Sequence, residues 1–234
     1  MSHSSANQPM QVKEAYRLWA PEYDSTPNPL LSLEQRFLWP LTRSAQGCDV
    51  VDLGCGTGRW LAHLADSGAR STTGVDVSEE MLGHAAKKLT SGTSLILANC
   101  LCTSLATASS DWILASFLLS YIDDVRTFAD EAARIARPGA VVLLSDVHPA
   151  TRGYGWRRTF SCAQQTIEIE THPYQISDLR CAMAKAGFES IFLLELPFGE
   201  PEKGVFSQAG RLDLFDRVDG LPVIFIAGFR RTSQ

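Results

Sequence analysis

Hydrophobic and polar positions along the chain change period several times. Five short apolar runs stand out: DVVDL (49–53), STTGVDV (71–77), SLILA (94–98), DWILASF (111–117) and AVVLLSD (140–146). Each is too short for a helix, and most place Val, Ile or Leu at successive positions. Such runs predict strands buried on both faces. Between them lie stretches of helical period: 57–68, 78–89 with Ser78 as a plausible N-cap, and 123–139. In the last of these, Val125, Phe128, Ala129, Ala132 and Ala136 fall on one face. Strands alternating with helices predict a parallel sheet covered on both sides, an α/β fold. Upstream, VKEAYRLWAPEYD reads as a short helix closing at Pro21, and residues 30–45 as a second helix interrupted near Pro40.

The rhythm changes after Asp146. Residues 147–175 mix Gly, Pro, Arg and aromatics, with TIEIETH alternating as a half-exposed strand. This segment is expected to be a hairpin-like insertion over the sheet edge. ISDLRCAMAKAGF returns to helix, with Ile176, Leu179, Met183 and Ala186 on one face. ESIFLLEL and PVIFIAGF are the final strands, and the second is apolar at successive positions, which predicts an interior strand.

Composition narrows the function classes. With 45% hydrophobic residues in 234, the chain suits one ordinary globular domain with embellishments. A formal charge of -5 argues against nucleic-acid and anionic-membrane partners. The polar start lacks a basic-then-apolar signal pattern, and no apolar run is long enough to span a bilayer. The six cysteines form no CxxC pair and no zinc spacing with histidine. They read as reduced thiols, so a cytoplasmic protein is expected.

The candidate chemistry sits in VVDLGCGTGRW, residues 50–60. Gly54, Gly56 and Gly58 weaken either a strand or a helix, so their use is conformational, or they admit a ligand close to the backbone. A dinucleotide fingerprint needs glycine where Arg59 stands, which disfavours NAD. Asp76 follows Gly54 at a distance that suits either a nicotinamide or a sulfonium nucleoside, and alone does not decide between them.

The spacing DLGCGTG closely resembles the first motif of class I S-adenosylmethionine-dependent methyltransferases. GVDVSEEML, LANCLCTSL, DWILASFLLSYIDD and EAARIARPGAVVLLSD resemble the family's later motifs, in the same order. YRLWAPEYD is similar to the N-terminal segment of the ubiquinone/menaquinone-type, small-molecule members. The resemblance implies a Rossmann-like, doubly wound, seven-stranded, mostly parallel sheet. It would carry an antiparallel strand near the C-terminus, a helical cap over residues 1–45 and the transferase domain over 46–234. It further implies S-adenosylmethionine as cofactor and S-adenosylhomocysteine as product. Gly54, Cys55 and Gly56 would line the methionine end through backbone atoms, with Asp52 polarising the turn. Asp76 would hold the ribose, Val77 and Met81 would pack on adenine, and Asn99 and Cys100 would stand where an acidic motif usually contacts the adenine amine. Ser116 and Phe117 would face the sulfonium, and Tyr16 and Tyr23 would cap the site, with an ordinary helix anchor as the competing reading.

For the acceptor side, Trp156, Arg157 and Phe160 of the insertion are candidate substrate contacts. Arg152, Arg157 and Arg158 read as partly solvated, with an anionic substrate group as the competing use. His148 is the candidate general base, set against a loop histidine bonded to backbone, with Tyr121 and His172 in reserve. The expected reaction is methyl transfer to O or N (or C) of a small molecule by in-line displacement. No metal is expected. A non-catalytic scaffold of the same fold and an NAD-linked oxidoreductase are the alternatives.

Overall fold

The computed structural model describes residues 8–89, 92–218 and 220–233. Among these residues the nine strands are β1 (Asp49–Leu53), β2 (Ser71–Asp76), β3 (Thr93–Leu97), β4 (Ser110–Ser116), β5 (Ala136–Val147), β6 (Thr159–Cys162), β7 (Gln165–Glu168), β8 (Phe188–Leu196) and β9 (Ile224–Arg231). The described residues also form eight α-helices: α1 (Val12–Trp19), α2 (Pro29–Leu38), α3 (Arg59–Asp66), α4 (Glu79–Lys88), α5 (Val125–Ile135), α6 (Ile176–Lys185), α7 (Glu200–Gln208) and α8 (Leu212–Arg217).

Seven strands form one sheet in the order β3-β2-β1-β4-β5-β9-β8. β1 to β5 pair in parallel, and β9 runs antiparallel to both β5 and β8. Both sheet faces are apolar, which explains the unbroken runs in the sequence. Val51, Ile113 and Val142 meet Phe128 and Ala132 of α5 and Leu179 and Met183 of α6 on one side. Val50, Trp112, Leu114 and Leu143 meet Leu33 and Leu38 of α2 and Trp60 and Leu64 of α3 on the other.

The helix starts are specified locally. Asn28 accepts the Leu30 N–H at 3.0 Å, ahead of Pro29 at the first helical position of α2. The Ser78 hydroxyl accepts the Met81 N–H at 3.2 Å at the head of α4. β9 lies inside the sheet, as its continuous apolar pattern predicts.

Two expectations change. Residues 147–175 do form a hairpin, β6-β7, but it leans on α1 above the carboxyl ends of the strands rather than over the sheet edge. The cause is an aromatic seam: Trp19 stacks on Phe160 at 5.1 Å between ring centroids. The seam is reinforced by backbone bonds from Met10 N–H to Glu168 O and from Glu170 N–H to Met10 O, both 2.8 Å. The helices α7 and α8 have no counterpart in the sequence reading. Their amphipathic pattern is interrupted by Gly204 and Gly210, and α7 is fixed instead by Phe206 and by an Arg36–Glu202 ion pair at 2.8 Å. Among the described residues no helix is long and apolar enough to cross a membrane.

Candidate active site

The glycine loop follows β1 directly. Gly54, Gly56 and Gly58 have φ of 74°, 54° and 78°, the left-handed region that other residues enter at a cost. At Gly54 an added Cβ would also stand 2.8 Å from Leu118 Cδ1, so that side chain would have to move. At Gly56 an added Cβ would meet nothing within 4 Å. The bare backbone there faces open space, as close approach by a ligand requires.

Asp76 ends β2 and ties the loop down. One carboxylate oxygen accepts the Gly56 N–H at 2.8 Å, the other the Ser78 N–H at 2.9 Å. Burial raises its pKa above the ordinary carboxylate range, against these backbone donors.

A cavity opens at the carboxyl ends of β1, β2 and β4. Of the residues singled out from sequence, Asp52, Gly54, Cys55 and Gly56 line its floor side, and Asp76, Val77 and Cys100 also line it. Ser116, Phe117 and Tyr121 come from the β4 end, and Tyr16 and Tyr23 from the cap. Burial pushes the Cys100 thiol up to about 12, so it stays protonated at neutral pH, consistent with a small lining residue. Phe117 holds a φ of 51°, a strained backbone for a bulky residue, at the cavity wall.

Two polar atoms in this wall have no hydrogen-bond partner although they are buried: Asp52 Oδ1 and Arg59 Nη1. Desolvation raises Asp52 well above the ordinary range, moderated by the nearby Arg59. Arg59 is held through its other nitrogen by Glu34, a wholly buried carboxylate on α2. Glu34 also accepts from Trp60 Nε1 at 3.2 Å, from the Ser116 hydroxyl at 2.6 Å and from the Ser145 hydroxyl. Neither Glu34 nor Arg59 was singled out as a site residue from sequence. Arg59 follows the glycine motif directly, and an arginine at the head of a buried helix is a signal that its position alone offered.

The cap is closed over the loop. Thr57 Oγ1 donates to Asp24 at 2.7 Å, and Lys88 Nζ holds the other Asp24 oxygen at 2.6 Å. Burial raises Tyr23 to about 12. The Tyr16 hydroxyl donates to the Tyr121 hydroxyl at 3.0 Å, and Arg158 Nε donates to the same oxygen at 2.9 Å. Tyr121 rides on a short turn whose Ser120 N–H and hydroxyl are held by buried Asp146 at 2.6 and 3.2 Å.

Nine of the singled-out residues lie outside the cavity lining, Arg152 and Arg158 of the insertion among them. Met81 is wholly buried in α4. Asn99 is exposed and turns its Oδ1 to the Leu101 N–H at 2.9 Å, so its amide serves the local turn. His148 spends both ring nitrogens locally: Nδ1 accepts the Ala150 N–H at 3.1 Å, and Nε2 meets Glu195 at 2.8 Å. His172 is fixed by its backbone N–H to Ser120 O at 2.8 Å. Trp156 packs on Phe198 at 6.0 Å, Arg157 is exposed near Glu168 at 3.7 Å, and Phe160 is the cap's stacking partner.

Residues 50–139 match the family model described as "Methyltransferase domain". The chain is 31% identical over 109 residues to the O-methyltransferase rstn1 of Aspergillus nomiae, covering 44% of this chain and 48% of that protein. It is 30% identical over 137 residues to a demethylmenaquinone methyltransferase of Bacillus licheniformis, covering 54% and 59%. These matches span about half the length of the curated relatives. In structure it resembles an S-adenosylmethionine dependent methyltransferase from Mesorhizobium loti, with a TM-score of 0.66, 22% identity, and 83% and 97% of the two chains covered. Residues 50–139 thus match a methyltransferase domain, and the chain shares the Rossmann-like fold of the solved methyltransferase it resembles.

Proposed function

We propose that the protein methylates an oxygen or nitrogen atom of a small-molecule acceptor, with S-adenosylmethionine as the methyl donor. The observation that carries this reading is that an acid and a cation lining one cavity, Asp52 and Arg59, each keep a buried polar atom without a partner. A free amino acid end presents the complement, an ammonium and a carboxylate, and stranded polar atoms of this kind cost stability until a ligand reaches them. A nicotinamide dinucleotide has no such zwitterion. Asp76, at the end of β2, suits two ribose hydroxyls, and Val77 and Cys100 suit the adenine.

The cofactor supplies a methyl group activated by a sulfonium, with a neutral thioether as leaving group. The chain's own task is then alignment, exclusion of water and removal of one proton. The cap, which we assign to residues 1–45 over a transferase domain of 46–234, closes the cavity through Thr57–Asp24 and Tyr16–Tyr121. The Tyr121 oxygen accepts two hydrogen bonds, which would hold it as a phenolate; in that form its remaining lone pair takes the acceptor's proton and returns Tyr121 to the neutral phenol. Of the three base candidates it alone lines the cavity, so the proton-transfer role falls to it here. The acceptor approaches from the side of Tyr121 and the insertion, and the reaction is cytoplasmic on the same reading.

The test is calorimetry with S-adenosylmethionine, S-adenosylhomocysteine and NAD, followed by a metabolite-library screen with methyl-labelled cofactor. Binding of the two sulfur nucleosides and label uptake by small molecules is the expected result. Binding of NAD in their place refutes the assignment.

A further inference from the structure

Arg158 is a half-buried cation without a carboxylate in hydrogen-bond reach. Three other half-buried arginines, Arg59, Arg134 and Arg137, each reach a carboxylate. A fourth, Arg231, donates to the backbone carbonyls of Ala186 and Gly187 at 2.6 and 2.9 Å. Arg158 donates through Nε alone, to the Tyr121 hydroxyl at 2.9 Å. Its guanidinium carbon lies 5.2 Å from the ring centroids of both Phe117 and Tyr121, two residues of the cavity wall. Among the described residues neither Nη has a hydrogen-bond partner, and no ion pair within 4 Å is formed. The nearby acid, Asp146, spends its oxygens on Ser120 and on the Val147 N–H at 2.6 Å.

A half-buried charge without a partner loses part of its hydration, and two aromatic faces offset only part of that loss. A methyl donor beside these rings would add a second positive charge. Both cations are satisfied at once by an anion lying between them. The two free Nη groups of a guanidinium stand side by side, the arrangement that matches the two oxygens of a carboxylate.

We infer that Arg158 receives a carboxylate of the methyl acceptor, so that the substrates are small acids carrying the reacting hydroxyl or amine near their carboxylate. The inference rests on the methyl-transfer reading and deepens it. Because Arg158 Nε touches the Tyr121 oxygen, the bound carboxylate stands next to the group assigned to take the proton. The short insertion just before β6 thereby acts as the selector of substrate charge.

The experiment pairs hydroxy and amino carboxylic acids, aromatic and aliphatic, with their own primary amides, and measures methyl uptake and kcat/KM for each pair. Binding of the acids to protein loaded with S-adenosylhomocysteine is followed in parallel by calorimetry. The expected result is label uptake by acids, at least tenfold better than by the matched amides. In Arg158→Gln that ratio collapses toward one, in Arg158→Lys it is partly restored, and S-adenosylhomocysteine affinity holds in both. Amides accepted as well as acids, or no acid accepted or bound by protein that binds the nucleoside, overturns the inference. So does a ratio unchanged in Arg158→Gln, which marks Arg158 as a structural brace. A wild-type protein that binds no sulfur nucleoside sinks the methyltransferase reading instead, and this inference with it.

Discussion

The wholly buried Glu34 carboxylate, on a helix before the first strand, holds the guanidinium of Arg59, the first residue of α3. One acid thereby joins the N-terminal segment to the cofactor loop and to the ends of β4 and β5 through Ser116 and Ser145. Glu34→Ala is expected to destabilise the fold by about 3 kcal/mol, because it leaves Arg59 and several donors without their buried acceptor. Urea denaturation measures this. A midpoint within error of the wild type would mean that Arg59 finds solvent easily.

Arg59→Gln is expected to weaken S-adenosylhomocysteine by about tenfold or more, the scale of a charge-assisted hydrogen bond. Methylthioadenosine, which has no amino acid end, should bind both proteins alike. Equal losses for the two nucleosides would remove Arg59 from the carboxylate subsite.

Asp76→Ala removes the acceptor shared by Gly56 and Ser78 as well as the proposed ribose contact. The expected loss of cofactor affinity is about 2 kcal/mol by calorimetry. A variant that binds as the wild type does would reassign the ribose site.

Tyr121→Phe is expected to lower kcat by about 10² with cofactor affinity retained, the lower end of general acid–base effects. His148→Ala should keep most of its turnover, because the His148 ring is already occupied by Ala150 and Glu195. The reverse ranking of the two variants would restore histidine as the base.

The pH dependence follows from burial. Asp52, Asp76 and Asp146 are each raised above the ordinary carboxylate range by desolvation. The same acids ionise near pH 4 in an unfolded chain. From there up to the raised folded-state values, the folded protein keeps protons that the unfolded chain has lost, so these groups make stability fall as pH rises. An ammonium placed against Asp52 favours its ionised form. Cofactor binding should therefore release protons and tighten with rising pH across that window. Calorimetry in two buffers of different ionisation enthalpy reads the release, and Asp52→Asn should show less of it. Net proton uptake would contradict the arrangement.

Much of the sheet was readable because its strands are apolar on both faces, a pattern that survives without knowledge of partners. The glycine loop was readable because left-handed backbone restricts residue choice so strongly. Helices α7 and α8 were not, since Phe206 and Phe215 become core only against α2 and each other. On the site side, Asp52, Asp76 and Tyr121 line the cavity, whereas His148 and Asn99 turn to local backbone. Short-range hydrogen bonds compete for such side chains, and no spacing rule reports which partner wins. Glu34 was invisible for a related reason, as an amphipathic helix pattern does not tell a buried acid from an exposed one.

The place of β9 has a consequence for how the protein is made. This strand follows all the others in the chain, yet it fills the slot between β5 and β8. While the ribosome is still upstream of residue 224, β8 has no neighbour to pair with, and β5 keeps one hydrogen-bonding edge open. The segment carrying the cofactor loop can order early from β1 to β5, but closure of the sheet waits for the final strand. Nascent chains stalled before that point would present two unsatisfied edges at once, the kind of surface that chaperones hold and that other strands invade.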